Sequence, residues 1–164
     1  MRKNPKVVIL GMGNLLLRDE GIGVHVANAL QEAPSPGNIE LEIIDGATSP
    51  DATLAFQDAD KLIVVDAVQA GDEPGAIYRF YPADINLDDN SMTSVHQISL
   101  LDNLRLMEIF GQKYQDVVII GVQPKETGWG IELSTELQQR MSQIIGVVLQ
   151  EAGQCHPDDP EKGE

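Results

Sequence analysis

Lys6-Val7-Val8-Ile9-Leu10-Gly11-Met12-Gly13-Asn14 decides the fold. From Val7 to Leu10 the run is apolar without alternation, as in a strand buried on both faces, and the glycines that follow mark a tight turn. Beyond Asp19 and Glu20, the residues Ile22, Val26, Ala27 and Leu30 recur at helical spacing until Pro34 and Pro36 end the pattern. Strand, loop and helix in this order form the unit of a parallel sheet, because parallel strands must be joined by a crossover.

Three further apolar runs extend the pattern: Leu41 to Ile44, Leu62 to Val65 and Val117 to Val122. Gly75 to Tyr81 alternates as a half-exposed strand does, and the turn Gly71-Asp72-Glu73-Pro74 precedes it, which predicts an antiparallel or edge strand. Helices are expected over about 52–57, opened by Ser49-Pro50-Asp51, over 95–110, capped by Ser94, and from near Ser134 towards Leu149. The expected fold is α/β, a doubly wound, mainly parallel sheet of about five strands with helices on both faces. Residues 1–152 read as one domain and 153–164 as an acidic, breaker-rich tail without fixed structure.

Composition narrows the function. A chain of 164 residues with 42% hydrophobic content supports one core, and aromatics at 4% leave aliphatic side chains to fill it. A net charge of −15 repels phosphate backbones and anionic membranes alike, so neither nucleic acid nor membrane is an expected partner. The start, Met1 to Pro5, enters a strand-length apolar run with no signal-peptide core, which predicts a cytoplasmic protein. A single cysteine, Cys155, excludes an internal disulfide and cysteine-paired zinc. Neither a Gly-x-Ser-x-Gly elbow nor a His-Glu-x-x-His helix is present.

In open α/β sheets, ligands bind beyond the carboxyl ends of the strands, which selects Gly13 to Glu20, Asp45, Asp66, Gln123 and the helix entry at His96. Gly11-Met12-Gly13 resembles a dinucleotide fingerprint but has Leu16 at the third glycine, and Asp19 and Glu20 would meet the phosphate. Asp19 reads as a helix cap. Glu20 is either a second first-turn acid or a site residue, with Gly21 and Gly23 leaving room for a partner. Asp66 is a turn acceptor or a site residue. His96, in a helix's first turn, is held neutral either to bond a carbonyl or to ligate a metal. Glu20, Asp66 and His96 together would suit a borderline divalent ion such as zinc or nickel. His25, at an exposed or flanking helix position, and His156 in the tail receive no role.

The run Gly11-Met12-Gly13-Asn14-Leu15-Leu16-Leu17-Arg18-Asp19-Glu20-Gly21-Ile22-Gly23 resembles the N-terminal signature of the nickel-iron hydrogenase maturation endopeptidases. The resemblance continues through Asp45-Gly46-Ala47-Thr48, Leu62 to Ala67, Ser94-Val95-His96-Gln97 and Ile120 to Pro124, with Ala47 in place of a usual glycine and the acidic tail as departures. Gly121-Val122-Gln123-Pro124 is also similar to a stretch in the branch acting on formate-linked hydrogenases. The resemblance implies an endopeptidase that removes a C-terminal extension from the precursor of the hydrogenase large subunit after nickel insertion. Nickel would be contacted through the substrate by Glu20, Asp66 and His96, with Asp45 as the base or orienting carboxylate. A non-catalytic metal- or nucleotide-binding module of doubly wound fold is the alternative.

Overall fold

A computed structural model describes residues 4–33, 37–46, 59–81 and 116–154. Five strands form one sheet: β1 (Lys6–Gly11), β2 (Glu40–Asp45), β3 (Lys61–Ala67), β4 (Ile77–Phe80) and β5 (Val117–Val122). The order is β2-β1-β3-β5-β4, with β4 antiparallel to β5 at one edge and every other pair parallel. The chain leaves β1 for a neighbour on one side, then crosses to β3 on the other. This places the topological switch point at the carboxyl end of β1.

The continuous apolar runs form the inner strands because both faces of the sheet are buried. Val7, Val8, Ile9, Leu62, Ile63, Val64 and Val65 are fully buried. Val7, Ile9, Ile63, Val65, Val118 and Ile120 pack on one face beneath α1 (Ile22–Gln31) and α2 (Thr135–Gly153), which contribute Ile22, Val26, Leu30, Leu137, Ile144 and Val148. Val8, Leu10, Ile44, Leu62, Val64 and Ile119 form a second core on the opposite face. The expected strands are present, each long parallel run within one or two residues of its expected ends, and β4 is the antiparallel edge strand. Ser134 caps α2, accepting from the Leu137 N–H at 3.4 Å, and α2 runs past Leu149 to Gly153. The helices expected over 52–57 and 95–110, His96 and the tail from 155 onward lie outside the described residues.

Candidate active site at the carboxyl edge of the sheet

Gly11, the last residue of β1, is in register with Asp45 of β2 on one side and Val65 of β3 on the other. At one strand spacing per step, the backbones of Asp45 and Val65 stand roughly 10 Å apart across β1. Side chains alternate along a strand, so Asp45 leaves the sheet on the face of Val65 and α1, and Asp66 leaves it on the other. Asp66 is fully buried and its Oδ1 accepts the Ala67 N–H at 2.8 Å; Asp45 is half-buried at the rim.

Glu20 lies in a 3-10 turn, Arg18–Gly21, that runs directly into α1 and packs against β3. Two glycines make this placement possible. A Cβ on Gly13, whose φ is +139°, would stand 2.0 Å from the Glu20 carbonyl oxygen, so the loop closes on itself only with glycine there. A Cβ on Gly23 would stand 2.0 Å from the Val65 carbonyl oxygen and 2.4 Å from that of Met12. The first turn of α1 therefore rests directly on the ends of β1 and β3, where the Met12 N–H donates to the Val65 carbonyl at 2.9 Å. The expectation that Gly21 and Gly23 leave room for a partner is corrected: Gly23 is filled by backbone, and Gly21 faces the Asn14 carbonyl at 3.1 Å. Arg18, with φ +49°, is the one non-glycine residue with positive φ among those described.

The reading of Asp19 as a helix cap is also corrected. Neither the 3-10 turn nor α1, whose N-cap is Gly21, has a side-chain cap. Asp19 is fully buried and faces the loop after β5 instead. Its Oδ2 accepts from the N–H groups of Lys125 (2.9 Å) and Glu126 (2.8 Å) and from the Ser134 hydroxyl (2.7 Å), and its Oδ1 accepts from the Ser134 N–H (2.7 Å). Burial pushes this carboxyl's pKa up, but the Glu126, Ser134 and Lys125 donors outweigh it and hold the value below the usual range. The backbones of the two loops pair as well: the Gly130 N–H donates to Leu16, the Arg18 N–H to Gly130, and the Asp19 N–H to Glu126. The Glu20 turn is thus braced from behind by a segment more than a hundred residues away.

Gln123, selected as a strand-end residue, spans a second loop. Its Oε1 accepts from the Ala70 N–H at 2.8 Å, and its Nε2 donates to Gln69 and to the Pro124 carbonyl. It organises the segment that leads into β4. His25 is half-buried rather than solvent-facing, and among the described residues its buried Nε2 has no hydrogen-bond partner. Burial lowers its pKa against the opposing pull of Asp19. At the far end of the sheet, Lys61, only 2% exposed, pairs with Glu151 at 2.8 Å, and Glu151 also pairs with Arg79. No single stretch of sequence announces this buried network. Each partner is an unremarkable charge in its own segment, and only the meeting of β3, β4 and α2 brings them together.

Glu20 and Asp66 are therefore carried to the carboxyl ends of β1 and β3, with Asp45 on β2, two strands from Asp66. Among the described residues no three histidine, cysteine or acidic side chains gather as a metal-holding group. None of the described helices is long and apolar enough to cross a membrane.

A family model described as hydrogenase maturation protease (HycI) matches residues 24–151. The hydrogenase expression/formation protein HupD of Thiocapsa roseopersicina is 34% identical over 155 residues, covering 92% of this chain and 69% of that protein. The hydrogenase 2 maturation protease of Escherichia coli is 28% identical over 146 residues, 88% of each. Among solved structures, the hydrogenase maturating endopeptidase HybD from E. coli superposes with a TM-score of 0.73 at 27% identity, covering 90% of this chain and 94% of that one. With a match running from inside α1 to the last turns of α2, and a relative aligned over nearly the whole sequence, this chain belongs to the hydrogenase maturation protease family and is a peptidase.

Proposed function

We propose that this peptidase removes the C-terminal extension from the nickel-loaded precursor of a nickel-iron hydrogenase large subunit, and that it does so in the cytoplasm. Nickel arrives as part of the substrate and docks against Glu20, Asp66 and His96. The observation that carries the reading is the packing of the Glu20 turn against β3, the strand whose carboxyl end bears Asp66, at the topological switch point. Carboxylate and imidazole donors suit a borderline divalent ion, and three of them leave coordination positions for the substrate's own ligands. Docking through the ion holds the scissile peptide in one place, and positioning of this kind supplies a large part of a rate enhancement.

Asp45 serves as the base. It is half-buried at the rim, on the opposite face of the sheet from Asp66 and separated from β3 by β1. Water adds to the scissile carbonyl as its proton passes to the Asp45 carboxylate, and the C–N bond then breaks with that proton delivered to the leaving amine. The test is to incubate the purified, dialysed chain with precursor prepared with and without nickel and to weigh the products by mass spectrometry. Loss of the C-terminal extension only from the nickel-loaded precursor is expected. Equal cleavage of both forms, or a requirement for a stoichiometric metal retained by the enzyme itself, would overturn the reading.

A further inference from the structure

Four large apolar side chains are exposed among the described residues, and three of them fall in one place: Leu16 (55%), Trp129 (83%) and Ile131 (69%). The fourth, Tyr81, lies beneath the Arg79 guanidinium, 5.0 Å from the ring centroid. Leu16 is 113 positions from Trp129 in sequence, but the two backbones run side by side. Leu17 and Gly130 form a parallel bridge, the Gly130 N–H donates to the Leu16 carbonyl at 2.9 Å, and the Arg18 N–H donates to the Gly130 carbonyl at 3.0 Å. The Asp19 carboxylate anchors both ends of the second segment, at Lys125 and Glu126 and at Ser134. A tryptophan presented on a pinned loop loses little conformational freedom on contact, and such aromatics dominate the energetics of protein interfaces.

We propose that Leu16, Trp129 and Ile131 form the surface on which the body of the large-subunit precursor docks, away from the scissile segment; this rests on the processing role proposed above. Two observations point to that occupant. The patch is continuous with the candidate site, because Leu16 and Glu20 belong to one loop and the Trp129 segment is hydrogen-bonded along it. The rim carries three carboxylates, Glu126, Glu132 and Glu136, against two bases: Arg18, which donates to the Glu132 carbonyl at 3.1 Å and lies 3.8 Å from the Glu126 carboxylate, and Lys125, which is paired with Glu136. An acidic rim on a chain of net charge −15 repels a second copy and suits a partner whose apolar contact is ringed by basic side chains.

The test is single-turnover cleavage of the nickel-loaded precursor at rising enzyme concentration, with Trp129→Ala, Ile131→Ala and the double variant. The enzyme concentration at half-saturation is expected to rise at least about tenfold in the double variant, with the plateau rate within about twofold of the parent. Unchanged half-saturation, or a fall confined to the plateau, would overturn the proposal. The unmutated chain provides an independent measurement, because Trp129 is its single tryptophan. Fluorotryptophan incorporated there gives one fluorine resonance, which should shift or broaden when unlabelled nickel-loaded precursor is added, and a resonance that stays in place would overturn the proposal. A parent chain that sediments as a dimer and becomes monomeric in the double variant would assign the patch to a second copy instead. If the parent chain cleaves nothing, the processing role fails and takes this surface with it. Cleavage with unaltered half-saturation in the variants removes the surface alone.

Discussion

Removing the carboxylate of Asp19 should cost a large share of the stability of this chain. The side chain is fully buried and accepts four hydrogen bonds, all from one loop and the cap of α2. In Asp19→Ala the Lys125 and Glu126 N–H groups can turn partly to water and the Ser134 hydroxyl can rotate, but the Ser134 N–H stays buried without an acceptor. Summing lost bonds to a charged acceptor with one stranded donor gives about 3–5 kcal/mol. Asp19→Asn keeps an oxygen for the three Oδ2 bonds but sets its amide N–H₂ against the Ser134 N–H, donor facing donor, for a loss of roughly 2–3 kcal/mol.

Urea unfolding of the three chains at neutral pH measures these differences, and repeating it in acid tests the charge. The Asp19 carboxyl titrates below its ordinary value when folded, so its contribution is complete above the unfolded value of about 4. That contribution is lost as the pH falls through the folded value, so the gap between parent and Asp19→Asn should narrow there. Differences under about 0.5 kcal/mol at neutral pH, the range of an ordinary surface change, would refute the bracing role. A gap that persists unchanged into acid would refute the part assigned to its charge.

Glu20→Gln, Asp66→Asn and His96→Ala should each slow processing of nickel-loaded precursor by about 100-fold or more with the fold kept, as circular dichroism would verify; near-normal cleavage by any two removes the docking set. Asp45→Asn should lower the single-turnover rate far more than it weakens precursor binding, and equal losses would make Asp45 a docking residue. Gly13→Ala, which forces a Cβ to 2.0 Å from the Glu20 carbonyl oxygen, should destabilise by about 2 kcal/mol or more in urea and impair processing together. Lys61→Met leaves the buried Glu151 with Arg79 alone, a loss of about 3 kcal/mol by thermal or urea unfolding without a change in processing at the remote site.

The parallel strands were legible because full burial writes itself as an uninterrupted apolar run, and Asp45 and Asp66 because they sit where those runs stop. The edge strand β4 was legible from its alternation. Asp19 was misread for a physical reason: a first-turn acid looks locally like a cap, and its true donors lie 106 to 115 positions away. Gly21 and Gly23 were misread in the same way, since an absent side chain signals close approach but not by what. Gln123 was selected by position without a role, because its work is to hold a loop that closes 53 residues earlier. The Lys61–Glu151–Arg79 network left no trace in any one segment.

The long reach of the Asp19 contacts has a consequence for how the enzyme comes into being. A chain emerges from the ribosome N-terminus first, at about 5–20 residues per second. Residues 11–23, which carry the Glu20 turn, are thus made several seconds before Lys125, Glu126 and Ser134 exist to hold them. Until those residues are synthesised, Asp19 is a carboxylate without its donors and the loop after β1 has nothing behind it. The turn that carries Glu20 is consequently among the last parts of the molecule to be braced, once the chain has been made through Ser134.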